Sequence, residues 1–283
     1  MTPSANGFKF PPMNAPVRTT SAPVLLREDA DDIAMLVLNR PQARNSLSES
    51  LIAALTASLA EIAADKRVRA VVLAANGPAF SAGHDMKEMT ERRSDADRGR
   101  AYFKQLMDAC AAMMLAIVHL PKPVIACVQG PASAAGCQLV ASCDLAVASE
   151  AAAFATPGVN IGLFCSTPMV ALSRNVPRKH AMEMLLTGDL VPAKEARRIG
   201  LVNRVVAPGS ERTEALALAR QIASKSALTV KIGKEAFYRQ LEMSLADAYR
   251  YAADVMVENM LARDAEEGIG AFIEKRAPNW EDR

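Results

Sequence analysis

From residue 23 the chain alternates two patterns. Short runs that are almost wholly apolar give way to longer stretches in which apolar side chains recur every three or four positions. The short runs are "IAMLVLNRP" (33–41), stopped by Pro41, "VRAVVLAANG" (68–77), which ends on a turn, and the segments 123–129 and 144–149. The stretches between them predict helices over 48–65, with Ser48 as the cap, over 98–119 and over 134–142. Strands separated by helices predict an α/β fold with crossover connections.

Past residue 207 the strand pattern stops. "SERTEALALARQIASKS", "ALTVKIGKEAFYRQL", "SLADAYRYAADVMVENML" and "DAEEGIGAFIEKR" read as four successive helices. The chain thus divides into an α/β core over 23–206 and a helical subdomain over 207–283. Within 245–261, Leu245, Tyr249, Ala252, Met256 and Met260 form an apolar stripe. Such a stripe either packs inside its own chain or meets another subunit. Residues 1–22 have no apolar h-region and are not a secretory signal. One arginine and several prolines make a weak targeting peptide, and the segment reads as a poorly ordered extension. No apolar run reaches a membrane-spanning length, so no membrane partner is expected.

Composition sharpens this only slightly. Of 283 residues, 51% are hydrophobic and 23% charged, enough for a sizeable core and incompatible with global disorder. A net charge of +2 and the lack of a basic stripe argue against nucleic acid. The five cysteines have neither C-x-x-C nor zinc-ligand spacing, so no metal is expected. They read as reduced thiols of a cytoplasmic protein, or of the mitochondrial matrix in a eukaryote.

Two segments combine small residues, a turn and a helix start: "GPAFSAGHDMKEM" (77–89) and "GPASAAGCQLVASCD" (130–144). Each leaves backbone N–H groups free to face a ligand. If the turns converge, one donor from each could meet on a single oxygen and stabilise charge on a carbonyl or a thioester enolate. Gly83 and Gly136 are equally suited to plain close packing of a strand against a helix. The residues alone leave both readings open.

The motifs "NRPQARNSLS", "AFSAGHDMKEM", "PKPVIACVQGPASAAGCQLVASCDLAVAS", "FATPGVNIGL", "TGDLVPAKEARRIGLVNRVV" and "EGIGAFIEKR" occur in an order that resembles the enoyl-CoA hydratase/isomerase (crotonase) family, over about residues 24–280. That resemblance implies a crotonase-like spiral of ββα units with a helical C-terminal trimerisation region, assembled as a homotrimer or a dimer of trimers. It also implies an acyl-CoA partner in fatty acid metabolism, with the coenzyme A thioester as substrate or ligand and no tightly bound cofactor. The family's oxyanion donors fall on the N–H groups of His84 and Ala135. Its CoA pocket falls on Ala82, His84 and Met86, with Asp85 structural. Lys275 matches a lysine near the CoA phosphates, often contributed across a subunit contact. "SAAGCQ" stands where the family has a glycine triplet.

The departures carry as much information. The family's two hydratase glutamates fall on Gln138 and Gly158. An amide orients water but accepts no proton near neutral pH, and glycine has no side chain. Asn160, Cys165 and Ser166 match a pocket-lining loop, and no base adjacent in sequence activates Cys165. The His84 imidazole is the other candidate proton carrier. Asp144 reads as a structural hydrogen-bonding group, and Glu88 and Glu91 as solvated residues of a first helical turn. Three readings follow: an acyl-CoA thioester enzyme in which ordinary hydration is weak or absent, a non-catalytic acyl-CoA binder, and a structural oligomer. The enzyme reading extends to isomerase, decarboxylase or thioesterase chemistry. The intact turns favour the enzyme reading.

Overall fold

The computed structural model describes residues 22–283; residues 1–21, nearly all of the expected extension, lie outside the described residues. The described residues begin with a hairpin of β1 (Leu25–Ala30) and β2 (Ile33–Leu38), reversed at Asp31, whose φ is 57°. Helix α1 (Glu49–Ala64) follows, and the Ser48 hydroxyl caps it by accepting from the Leu51 N–H at 3.2 Å. Next come β3 (Ala70–Ala75), α2 (Met86–Glu91), α3 (Arg100–Val118) and β4 (Val124–Val128). Then β5 (Ala132–Ser133) leads into α4 (Ala135–Ser142), followed by β6 (Leu145–Ser149) and β7 (Ala153–Ala155). Three helices, α5 (Pro168–Asn175), α6 (Arg178–Thr187) and α7 (Ala193–Arg198), flank β8 (Val191–Pro192), and β9 (Arg204–Val206) ends the strands.

One sheet has the order β1-β2-β3-β4-β6-β9, with β1 antiparallel to β2 and every other pair parallel. Its apolar runs are continuous because both faces are covered. Ala34, Leu36 and Leu38 face α1, α3 and α4, whereas Ile33, Met35 and Val37 face the other side. That second side is closed by α8 (Glu211–Ala223) through Ala215, Leu218 and Ala219. So the helical region after 207 begins as a layer of the α/β core. A small second sheet, β5-β7-β8, pairs Ser133 with Ala155 and brings the chain after β7 to the start of α4. All five cysteines are buried and unpaired. By length and composition α3 could cross a membrane, contrary to the reading of the sequence. Here its Leu106, Cys110, Met113 and Ile117 face packs into the core.

Helices α9 (Ala227–Gln240), α10 (Leu245–Met260) and α11 (Arg263–Glu274) pack on one another. No residue of α10 is buried, and Leu245 and Tyr249 are 76% and 73% exposed. The stripe is therefore not part of this chain's core.

A buried ionic cluster fastens α9 to the core. Lys234 Nζ donates to Asp144 Oδ2 at 2.7 Å and to the carbonyls of Ile117 and Lys122, both at 3.0 Å. Asp144 also accepts from Tyr238 Oη at 2.9 Å and from the Val124 N–H at 2.6 Å. The structural reading of Asp144 agrees with these bonds, but its partners lie too far along the chain to be visible in sequence. Burial pulls the Lys234 pKa down while Asp144 opposes that shift. Replacing Asp144→Ala leaves a buried ammonium without its counter-charge, and urea unfolding should show a loss of about 3–5 kcal/mol.

Candidate active site

Parallel pairing of β3 and β4 aligns Leu73 with Ala126, so the turns that follow the two strands leave the same edge of the sheet. They converge. Ser133 N–H donates to the Ser81 carbonyl at 2.9 Å, Phe80 N–H donates to the Pro131 carbonyl at 3.0 Å, and Ser81 bridges Ala132. A Cβ on Gly136 would lie 2.3 Å from the Ser81 oxygen. Gly83 has φ +91°, and a Cβ there would meet the Ala134 methyl at 3.0 Å and the Ala135 nitrogen at 3.2 Å. Close backbone approach, not simply helix packing, requires both glycines.

The first turn is held from behind by Asn45, which is fully buried. Its Nδ2 donates to the Asn76 and Ala79 carbonyls at 2.8 Å, and its own carbonyl accepts from Ser81 Oγ at 2.9 Å. Asp85 caps α2 by accepting from the Lys87 N–H, and it also accepts from Arg40 and Ser46, each at 3.0 Å. Burial pushes the Asp85 carboxyl up, but these donors outweigh it and hold the pKa below its ordinary value. Glu88 is more than a solvated first-turn residue: its Oε2 accepts from the Glu49 N–H at 3.0 Å at the start of α1. Sequence reading missed Asn45 and the Ser81 carbonyl. Both lie in turn-like segments whose tertiary partners leave no periodic signal.

At the junction, the N–H groups of His84 and Ala135 donate to no protein acceptor among the described residues. They are the donors implied by the family register. Ala134, which precedes Ala135, has φ 49° and ψ −118°, the first central position of a type II′ turn, normally a glycine conformation. A side chain in such a region costs of order 1–3 kcal/mol.

Gln138, on the first turn of α4, is 5% exposed and its Oε1 has no hydrogen-bond partner among the described residues. Gly158 sits in a 3-10 turn, Pro157–Ile161, and is buried. A Cβ there would lie 2.8 Å from the Leu163 carbonyl oxygen and 3.0 Å from Cys165 Sγ. The volume around the second acid position is therefore filled. Burial pushes the Cys165 thiol up, against the Gly158 backbone contact, so the thiol stays protonated and unreactive at neutral pH.

The remaining candidates separate. Ala82 and Met86 are exposed on either side of His84. Asn160 is exposed, with its amide 2.9 Å from where a Gly188 Cβ would be. Ser166 is also exposed, its hydroxyl 3.3 Å from the Phe164 carbonyl. Lys275 ends α11 with φ 58°, on the C-terminal helices. Among the described residues no group of three His, Cys, Asp or Glu side chains is placed to hold a metal ion.

Both imidazole nitrogens of His84 are shielded from solvent and lack a partner among the described residues. Burial lowers its pKa from the ordinary 6.5, so the neutral ring prevails at pH 7. Below pH 6.5 the unfolded chain binds the proton more readily than the folded one. Stability should fall as pH drops from there through the lower folded-state value, and His84→Gln should remove that slope in unfolding measured across pH 4.5–7.5, an interval of about three units chosen to bracket the transition. In the same assays Gly136→Ala should cost about 1–3 kcal/mol through overpacking against Ser81.

Comparison with known proteins gives a consistent result. The family model described as enoyl-CoA hydratase/isomerase matches residues 28–283. A rat protein, "Enoyl-CoA hydratase domain-containing protein 3, mitochondrial", is 45% identical over 98% of this chain and 91% of its own length. The crystal structure of an enoyl-CoA hydratase from Mycobacterium smegmatis is 53% identical, with a TM-score of 0.87 over 91% of this chain and 99% of that one. The human enoyl Coenzyme A hydratase domain-containing protein 3 structure is 45% identical, with a TM-score of 0.86 over 91% of this chain and 100% of that one.

Proposed function

Because this chain belongs to the enoyl-CoA hydratase/isomerase family, with its crotonase-like fold, we propose that its paired turns bind an acyl-CoA thioester and polarise its carbonyl. The thioester oxygen accepts from the His84 and Ala135 N–H groups, and the CoA moiety runs past Ala82 and Met86. The observation that carries this reading is a pair of unused backbone donors on converging turns. Fixed dipoles of this kind stabilise developing negative charge without having to reorganise.

The site polarises without the carboxylate pair used in hydration. Gln138 supplies an unpartnered oxygen that accepts a hydrogen bond from water or from a hydroxyl substituent on the acyl chain, and it takes no proton near neutral pH. Among the candidate site side chains, the His84 imidazole is the other candidate proton carrier, and burial lowers its pKa so that the ring is neutral at pH 7. A thioester reaction other than hydration therefore fits better than hydratase activity. The second reading, an acyl-CoA binder without turnover, is supported by the neutral Gln138 and the crowded Gly158.

The exposed apolar residues Leu245, Tyr249, Met256, Leu261, Phe272 and Ile273 on the C-terminal helices support a homotrimer or a dimer of trimers. In that assembly Lys275 reaches CoA phosphates across a subunit contact. Light scattering at micromolar concentration should give a trimer or hexamer, and a stable monomer would refute the assembly.

Calorimetry should show acyl-CoA binding, weakened by Lys275→Ala through loss of a phosphate partner. Crotonyl-CoA hydration should be at least about 10⁴-fold below that of a two-carboxylate hydratase, since each acid–base group contributes roughly 10²–10⁴. Gln138→Glu alone should restore little of it. Adding Gly158→Glu should fail as well, because Leu163 and Cys165 occupy the space. Hydration by the unaltered protein at ordinary hydratase rates would overturn this reading.

A further inference from the structure

We infer that the Ala134 methyl group is a wedge that sets the spacing of the two thioester-binding N–H groups; the inference rests on the thioester reading above. The donor of the first turn belongs to the peptide unit joining Gly83 to His84. The donor of the second belongs to the unit joining Ala134 to Ala135. The residues just behind the two donors touch each other. A Cβ built on Gly83 would lie 3.0 Å from the Ala134 Cβ, 3.0 Å from the Ser133 carbonyl oxygen and 3.2 Å from the Ala135 nitrogen. The methyl thus fills the angle between the donor-bearing peptides.

Its backbone conformation marks Ala134 as more than a tolerated replacement. At φ 49° and ψ −118° a glycine is unstrained and an alanine is not. The surrounding bonds hold the residue there: Ala134 N–H donates to the Ala155 carbonyl at 2.9 Å, Ser133 N–H to the Ser81 carbonyl at 2.9 Å, and Gln138 N–H back to the Ala134 carbonyl at 3.0 Å. Those bonds fix the outer limbs of each turn but none runs directly between the two donor peptides. Across that gap the Ala134 methyl is the one side chain that approaches Gly83 this closely, beside the Ser133 carbonyl and the Ala135 nitrogen of the backbone. Two donors polarise one oxygen fully only when each lies within hydrogen-bond reach of the same point. Removing the methyl frees Ala134 from strain and lets the donor peptides shift relative to each other. The wedge makes Ala134 a positioning residue that acts through the two N–H groups.

The test uses the full chain and butanoyl-CoA carrying ¹³C at the thioester carbonyl. Difference infrared spectroscopy of the bound ligand should show the carbonyl stretch displaced to lower wavenumber. In Ala134→Gly the displacement should shrink markedly and the band broaden, while the melting temperature rises as the strain is released. Affinity for butanoyl-CoA should fall several-fold, whereas affinity for coenzyme A itself, which lacks the carbonyl, should hold. Ala134→Ser keeps the Cβ and should restore the original displacement. A carbonyl stretch unchanged in Ala134→Gly overturns the wedge while leaving thioester binding standing. Absence of butanoyl-CoA binding by the unaltered chain, or binding with no carbonyl displacement, overturns the thioester reading and the wedge with it.

Discussion

Everything that distinguishes this molecule depends on a backbone-to-backbone contact between residues 81–83 and 133–136. The Ser81 carbonyl sits where a side chain on Gly136 would begin, and it accepts from the Ser133 N–H at 2.9 Å. Parallel pairing of β3 and β4 delivers the two segments to the same edge. Asn45 braces the first segment and the Ser133–Ala155 pairing braces the second. The His84 and Ala135 N–H groups are then left with no internal acceptor among the described residues. Both partners in the contact are backbone, so it does not depend on the rotamer of any side chain.

Around that contact the nearby side chains of the candidate site are electrically neutral. Gln138 is an amide, Gly158 contributes nothing, the Cys165 thiol stays protonated, and burial holds the His84 ring neutral. The contact between the two turns is made by backbone atoms, so it does not depend on which side chains stand at positions 138 and 158.

How much was legible in the sequence follows from how each feature is buried. Strands β2, β3 and β4 showed plainly, because burial on both faces makes their residues uniformly apolar. Strand β1 did not, since an edge strand with Arg27, Glu28 and Asp29 looks like a polar loop. Strands of two or three residues, such as β5 and β7, are too short to carry a period. The α10 stripe was visible, yet helical spacing is the same for an inner and an outer face, and only the fold showed it to be exposed. At the site, the small residues of both turns signalled close approach, while their convergence required the sheet. The crowding at Gly158 comes from a fold-back of Leu163 and Cys165, which sequence distance conceals.

The Asp144–Lys234 pair has a consequence for the order in which the molecule can be made. Its members are 90 positions apart, and the back of the sheet likewise awaits α8. While the chain is being synthesised, the α/β portion emerges with one sheet face uncovered and a carboxylate still needing its counter-charge. The back of the sheet is covered only once α8 has left the ribosome, and Asp144 gains its counter-charge only when α9 follows. During that interval the nascent sheet exposes Ile33, Val37, Val72 and Ile125 to other chains, a period in which chaperone cover matters most. Ending the chain before Lys234 would leave Asp144 permanently without that counter-charge, even with α8 in place.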